Sequence, residues 1–133
     1  MPALPDIVVS AVAVIRDRRV LMVTARGRDV IYMPGGKVDA GESGAEAAAR
    51  EAREELGVDV TDITELFTVT TQAHGEPEGR RVRMTVYAAT PLAQPRASAE
   101  IDALHWVTSA DAHRCPPAGR ETLRSLQELQ VID

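Results

Sequence analysis

Residues Gly36 to Val58 read GKVDAGESGAEAAAREAREELGV, and the second half of that stretch decides what the chain can build. Ser43 and Glu46 form a capping box, the reciprocal pairing that satisfies free N–H groups in the first turn of a helix. Gly57 supplies the stop, because glycine takes up the left-handed conformation in which helices end. Between them stand Ala45, Ala47, Ala48, Ala49, Ala52 and Leu56, all good helix formers, with no proline or β-branched residue to interrupt them.

At about 100° per residue, Glu51, Glu54 and Glu55 share one stripe of that helix, while Ala45, Ala48, Ala49, Ala52 and Leu56 share another. Three carboxylates are therefore expected to point together off a helix whose other side packs closely, with Arg50 and Arg53 to the side of the stripe. Like charges three and four residues apart destabilise an isolated helix by roughly a few tenths of a kcal/mol per pair. A divalent cation turns that repulsion into a binding site, and Mg²⁺ prefers carboxylate oxygens while leaving positions for water and substrate phosphates. The plainer alternative is a solvated glutamate face on an ordinary amphipathic helix.

Working outward, the flanks read mostly as strands. Ile7 to Ile15 is a Val-rich run ended by the Arg16 to Arg19 charge cluster, and Val20 to Thr24 is a second run, so two strands joined by a tight polar turn are expected. Ala25 to Asp29 is an arginine-bearing loop and Val30 to Met33 a short extended piece. Pro34-Gly35-Gly36 predicts a non-helical turn whose glycines let backbone carbonyls approach a metal. Beyond the helix, Val60 to Thr71 predicts a strand broken near Thr64-Glu65, and His74 to Gly79 a flexible loop. Val82, Met84, Val86 and Ala88 alternate with Arg81, Arg83, Thr85 and Tyr87, the period of a half-buried strand. After the Pro91 to Ala99 connection comes a last strand, Ile101 to Thr108, then one helical turn over Ser109 to Arg114. A final helix is expected over about Gly119 to Leu129, packing through Leu123, Leu126 and Leu129. Strands, helix, strands, helix in that order suggest an α/β fold with a mixed β-sheet between helices.

Composition bounds the rest. A chain of 133 residues with 44% hydrophobic content suits a single domain that buries roughly two-thirds of its unfolded surface. Aromatics are only 3%, so the core must be aliphatic and alanine-rich. The net charge of −5 offers no basic footprint for nucleic acid. The N-terminal run has no basic segment before it, so neither a signal peptide nor a membrane span is expected. Cys115 is the sole cysteine, which excludes an intrachain disulfide and makes a reduced, cytoplasmic compartment the default. It sits in an expected loop before Pro116-Pro117, with no constellation that would make it a nucleophile.

Gly36, Glu42, Arg50-Glu51, Glu54-Glu55, Leu56, Gly57 and Val58 stand at the spacing of the Nudix box, and the stretch resembles that box at every specified position. Ala52 is the one soft spot, small where the family often carries a bulkier aliphatic residue. The resemblance implies an α/β/α sandwich in which the box forms a loop, a helix and a second loop. It also implies hydrolysis of nucleoside diphosphate derivatives by water, helped by Mg²⁺ or Mn²⁺. Carried over residue by residue, Glu54 and Glu55 are the principal metal ligands, the Gly35 carbonyl is a further ligand, and Glu51 is either a ligand through water or the general base. Arg50 becomes an orienting partner bonded to a glutamate of its own helix, and Glu42, taken as early in the helix, becomes a structural residue. Many family members use one more carboxylate outside the box. Glu100 is the candidate here, with Glu76 and Glu78 as competitors.

Substrate selection is less legible. Tyr32 and Phe67 are candidates to stack a base, although an aromatic on a strand is more often core, as Trp106 is read to be. Arg26, Arg28, Arg80, Arg81 and Arg83 are candidates to grip phosphates. The proline that marks the ADP-ribose subfamily is not found at its expected place, where His74 stands nearby, nor is the tyrosine of the dinucleoside polyphosphate group. The expected activity is pyrophosphohydrolysis of a nucleoside triphosphate, oxidised forms included, by a monomer or homodimer. The alternatives are an ADP-ribose or dinucleoside polyphosphate hydrolase, or a non-catalytic nucleotide-sensing domain. Against the sensor stands the retention of every box glutamate.

Overall fold

The computed structural model describes residues 4–133, and the start of the N-terminal stretch, residues 1–3, lies outside them. The box helix, α1, spans Gly44–Leu56. Its capping box is formed as the sequence predicts: the Ser43 hydroxyl accepts from the Glu46 N–H at 3.1 Å, and the Glu46 carboxylate accepts from the Ser43 N–H at 2.9 Å. Gly57 ends it in the left-handed conformation, φ 64°.

Seven strands are present among the described residues: β1 (Ile7–Ala13), β2 (Ile15–Arg16), β3 (Arg19–Ala25), β4 (Gly35–Lys37), β5 (Val60–Gln72), β6 (Arg81–Pro91) and β7 (Ile101–Val107). They form two sheets, ordered β4-β1-β6-β5 and β2-β3-β7. The first is mixed, because β1 runs parallel to β6 while its other pairings are antiparallel. The expected single run Ile7 to Ile15 is thus divided at Val14, where the chain passes from one sheet to the other. Hydrogen bonds hold the crossing on both sides, Val12 N–H to the Pro34 carbonyl and Leu21 N–H to the Val14 carbonyl, each 2.9 Å.

Three further expectations are corrected. Pro34-Gly35-Gly36 is not a turn: Gly35–Lys37 is extended and pairs with β1, Ala11 opposite Gly35 and Ser10 opposite Gly36. A Cβ on Gly35 would strike the Ser10 carbonyl, so glycine is what lets the two backbones come this close. The last helix, α2, spans Pro117–Glu128, starting earlier than expected because proline is well suited to a first helical turn. Its buried face is Gly119, Thr122, Leu123 and Leu126, while Leu129 lies past the helix end and is 49% exposed. Strand β6 is buried on both faces at its centre, Met84 and Val86 on one side and Tyr87 on the other, rather than half-buried. The expected break in β5 takes the form of register shifts at Thr61/Thr64 and Glu65/Phe67.

Two apolar clusters place the helices on opposite sides of the strands. Leu123 and Leu126 of α2 meet Ala11, Val20, Met22, Met84, Val86 and half-buried Phe67. Ala48, Ala52 and Leu56 of α1 meet Val12, Leu21, Val23 and Tyr87. Each fully buried leucine contributes about 2 kcal/mol by removal from water. Trp106 stands at the margin of the second cluster with the Arg16 guanidinium 4.8 Å above its ring. No described helix is long and apolar enough to cross a membrane.

Candidate active site

The packing of α1 decides where its glutamates go. The buried face of the helix is Ala47, Ala48, Glu51, Ala52 and Leu56, with Glu55 half-buried beside it. Two of the three stripe carboxylates therefore turn inward against β4, and Glu54 alone is exposed, which corrects the expectation of a stripe standing free of the packing side.

Glu55 reaches the glycines of β4, where one carboxylate oxygen accepts the Gly35 N–H at 2.9 Å. Burial, with help from the charges of Glu51 and Glu54, pushes its pKa from 4.5 up to about 7 despite that hydrogen bond. Glu51 is only 8% exposed and also shifts upward, chiefly through burial and against the pull of Arg50. Beside it lies Gly36, where a Cβ would come within 2.8 Å of the Glu51 carboxyl carbon. The bare backbone at Gly36 is what gives that carboxylate its place.

Arg50 ties the box together. Its Nε and Nη2 bond both oxygens of Glu42 at 2.8 and 3.0 Å, a bidentate pair. Nη2 also donates to the Lys37 carbonyl at 3.0 Å, and Nη1 donates to Glu51 at 3.0 Å and Glu54 at 3.3 Å. The pair holds Glu42 well below the usual carboxylate range, at about 2. Glu42 precedes the helix rather than beginning it, and its Oε1 accepts the Asp39 N–H at 3.0 Å, so it closes the loop between β4 and α1.

Two cavities open from this corner. One, about 260 Å³, has a largely apolar wall that includes Val9, Met33, Val82, Met84 and Ala118. The other, about 330 Å³, is lined by Arg28, Glu55, Val23 and Ile101 among others. Both are bounded by Tyr32, Met33, Gly35 and His74. Tyr32 and His74 meet edge to face with ring centroids 6.3 Å apart.

The other candidates distribute unevenly. Arg26 donates its backbone N–H to the Glu100 carbonyl at 2.7 Å, but neither residue lines a cavity, and the Glu100 side chain is exposed. Glu100 does adjoin Ile101, on the wall of the second cavity. Glu76 lines the apolar cavity and Glu78 does not. Arg83 lines neither cavity: Val82 and Met84 wall the apolar one, and alternation sends Arg83 to the opposite face of β6, where it is exposed. Phe67 belongs to the core cluster under α2. Cys115 is buried against Met22, and burial pushes its thiol up to about 11, leaving it protonated and inert. Sequence reasoning missed Gln72, a polar residue at a strand end with nothing in its neighbourhood to mark it.

Among the described residues no group of three or more His, Cys, Asp or Glu side chains is gathered closely enough to hold a metal ion as it stands. The donor set nonetheless fits a hard cation: carboxylates crowded within one helical turn, two of them uncomfortable when charged, beside a strand with no side chain to fill the space.

The chain is thus a mixed-sheet α/β sandwich whose box helix sets its carboxylates against a glycine strand. The chain belongs to the NUDIX domain family, which it matches over residues 5–128. The crystal structure of a MutT NUDIX hydrolase from Burkholderia pseudomallei superposes with a TM-score of 0.73 and 26% identity, over 95% of this chain and 99% of that one. A Proteus vulgaris 8-oxo-dGTP diphosphatase is 40% identical over 57 residues, 43% of this chain and 47% of its own. A Mycobacterium tuberculosis protein provisionally named 8-oxo-dGTP diphosphatase 2 is 37% identical over 83 residues, 61% of this chain and 55% of its own. The chain thus spans about half the length of the curated relatives it matches.

Proposed function

We propose that the chain is a single-domain, cytoplasmic, Mg²⁺-dependent pyrophosphohydrolase that converts a nucleoside triphosphate, oxidised forms included, to the monophosphate and pyrophosphate. The observation that carries this reading is that two adjoining cavities, one walled almost wholly by apolar groups and one that takes in the charged side chains of Arg28 and Glu55, share Gly35, Tyr32 and His74. A molecule with a flat base at one end and an anionic chain at the other fits the two together, with its anhydride beside Glu55. The names of the Proteus and Mycobacterium relatives support the triphosphate.

Glu54, Glu55 and Glu51, with the Gly35 carbonyl, are the residues that would hold Mg²⁺ or Mn²⁺. When bound, such an ion neutralises anhydride charge and acidifies a water. Glu51, if it holds the ion only through water, would be the group that accepts a proton from the attacking water as a phosphorus–oxygen bond forms and the anhydride bond breaks; burial, which raises its pKa, supports that role. Arg50 keeps Glu51 oriented and Arg28 meets the phosphate chain. Incubating the protein with nucleoside triphosphates, ADP-ribose and dinucleoside polyphosphates in Mg²⁺, and separating the products, tests the reading. Turnover of triphosphates to monophosphate and pyrophosphate is expected. Binding without turnover of any compound would make the chain a sensor instead.

A further inference from the structure

The loop between β5 and β6 is closed by the Ala73 N–H bonded to the Arg80 carbonyl at 2.8 Å, and one side chain, Gln72, hydrogen-bonds across it. The Gln72 Nε2 donates to the carbonyls of Pro77, Glu76 and Ala73 at 2.9, 3.2 and 3.3 Å. Its Oε1 accepts the Gly79 N–H at 2.9 Å. An amide nitrogen has only two hydrogens, so both are taken up by these carbonyls and none is left for a ligand. Gln72 lines the apolar cavity, yet it has nothing to offer an occupant's hydrogen-bond acceptors.

The loop it braces is differently equipped. His74 and Glu76 both border the apolar cavity, and neither side chain is hydrogen-bonded to a side chain among the described residues. The other polar side chains on that wall are Ser10, whose hydroxyl donates to the Gly44 carbonyl at 2.9 Å, and Tyr32. In a cavity otherwise lined by apolar groups, the polar edge of an occupant is met chiefly by this loop. Glu76 offers acceptors, which suits a planar heteroaromatic ring with N–H donors along one edge. His74 also borders the second cavity, the one that holds Arg28 and Glu55, so a shift of the loop moves the junction of the two.

We propose that Gln72 is a positioning residue, and that the β5–β6 loop it braces selects the group seated in the apolar cavity through His74 and Glu76. This rests on the nucleotide reading of the site. Gln72 acts on ground-state binding through the loop and touches no reacting atom, so its loss raises KM and leaves kcat in place.

The test is a mutant cycle joining Gln72→Ala to the His74→Ala, Glu76→Ala pair, read by steady-state kinetics on guanosine, adenosine and cytidine triphosphates. Hydrogen exchange of residues 73–80 is followed in parallel. Gln72→Ala should raise KM about tenfold with kcat within about twofold, and in the doubly substituted background it should add less than about twofold. Exchange in the loop should rise while α1 and α2 stay protected. Equal effects on KM in both backgrounds, a fall in kcat at unchanged KM, or unaltered loop exchange each overturn the proposal. If the protein binds nucleotides without hydrolysing them, the activity is refuted, and the same cycle is read from dissociation constants. A wild type that neither binds nor hydrolyses any of them overturns both.

Discussion

Replacing Glu55 by Gln removes a charge that the folded, metal-free chain holds against its preference. The carboxyl titrates at about 7 in the folded protein against an ordinary 4.5, mainly because burial disfavours the anion. Below 4.5 both folded and unfolded chains carry the proton and there is no penalty. As pH rises to 7 the unfolded chain releases its proton first, so stability falls across that window and the loss is complete above it. At about 1.4 kcal/mol per pK unit the upper limit is about 3 kcal/mol, and solvent access at the half-buried carboxyl brings the expected loss to about 1–2 kcal/mol. Glutamine keeps the acceptor for the Gly35 N–H, so the substitution leaves that contact in place. The assay is urea unfolding in EDTA at about pH 4.5 and about pH 8. Glu55→Gln should exceed wild type by about 1–2 kcal/mol at the higher pH and match it within about 0.5 kcal/mol at the lower. Added Mg²⁺ should stabilise wild type and not the variant. A gap of the same size at both pH values, or none at about pH 8, would refute the reasoning.

Four other outcomes are expected. Glu54→Gln should lower turnover by about a hundredfold or more at limiting Mg²⁺ while the unfolding midpoint holds, since its side chain is exposed; near-wild-type turnover there removes it from the ligand set. Glu51→Gln should lower kcat more than Glu100→Gln at saturating metal and substrate, and the reverse order would move the base to the loop. Gly36→Ala should push the Glu51 carboxylate aside and lower kcat about tenfold or more, with crystallography of the variant showing whether Glu51 has moved. Arg50→Ala frees Glu42, Glu51 and the Lys37 carbonyl at once, so it should lower the thermal unfolding midpoint and activity together.

The linear order of residues was enough to specify α1, because a capping box and a terminal glycine act within a few residues of themselves. The same local logic located β5 and its irregularity, the helical turn at Ser109–Arg114 and the position of β6, though not its burial on both faces. The box carboxylates were legible as a set, since helix geometry alone brings Glu51, Glu54 and Glu55 to one stripe. Which way that stripe faces was not, because it depends on β4 lying alongside α1, and β4 exists only by pairing with β1 far back in the chain. The Pro-Gly-Gly segment has every local mark of a turn, and long-range pairing made it a strand. Likewise the sequence could not say on which side of β6 Arg83 stands, because that depends on which face α2 and the apolar cavity occupy. Gln72 owes its part to a loop that folds back over it, so nothing short of the tertiary structure could have singled it out.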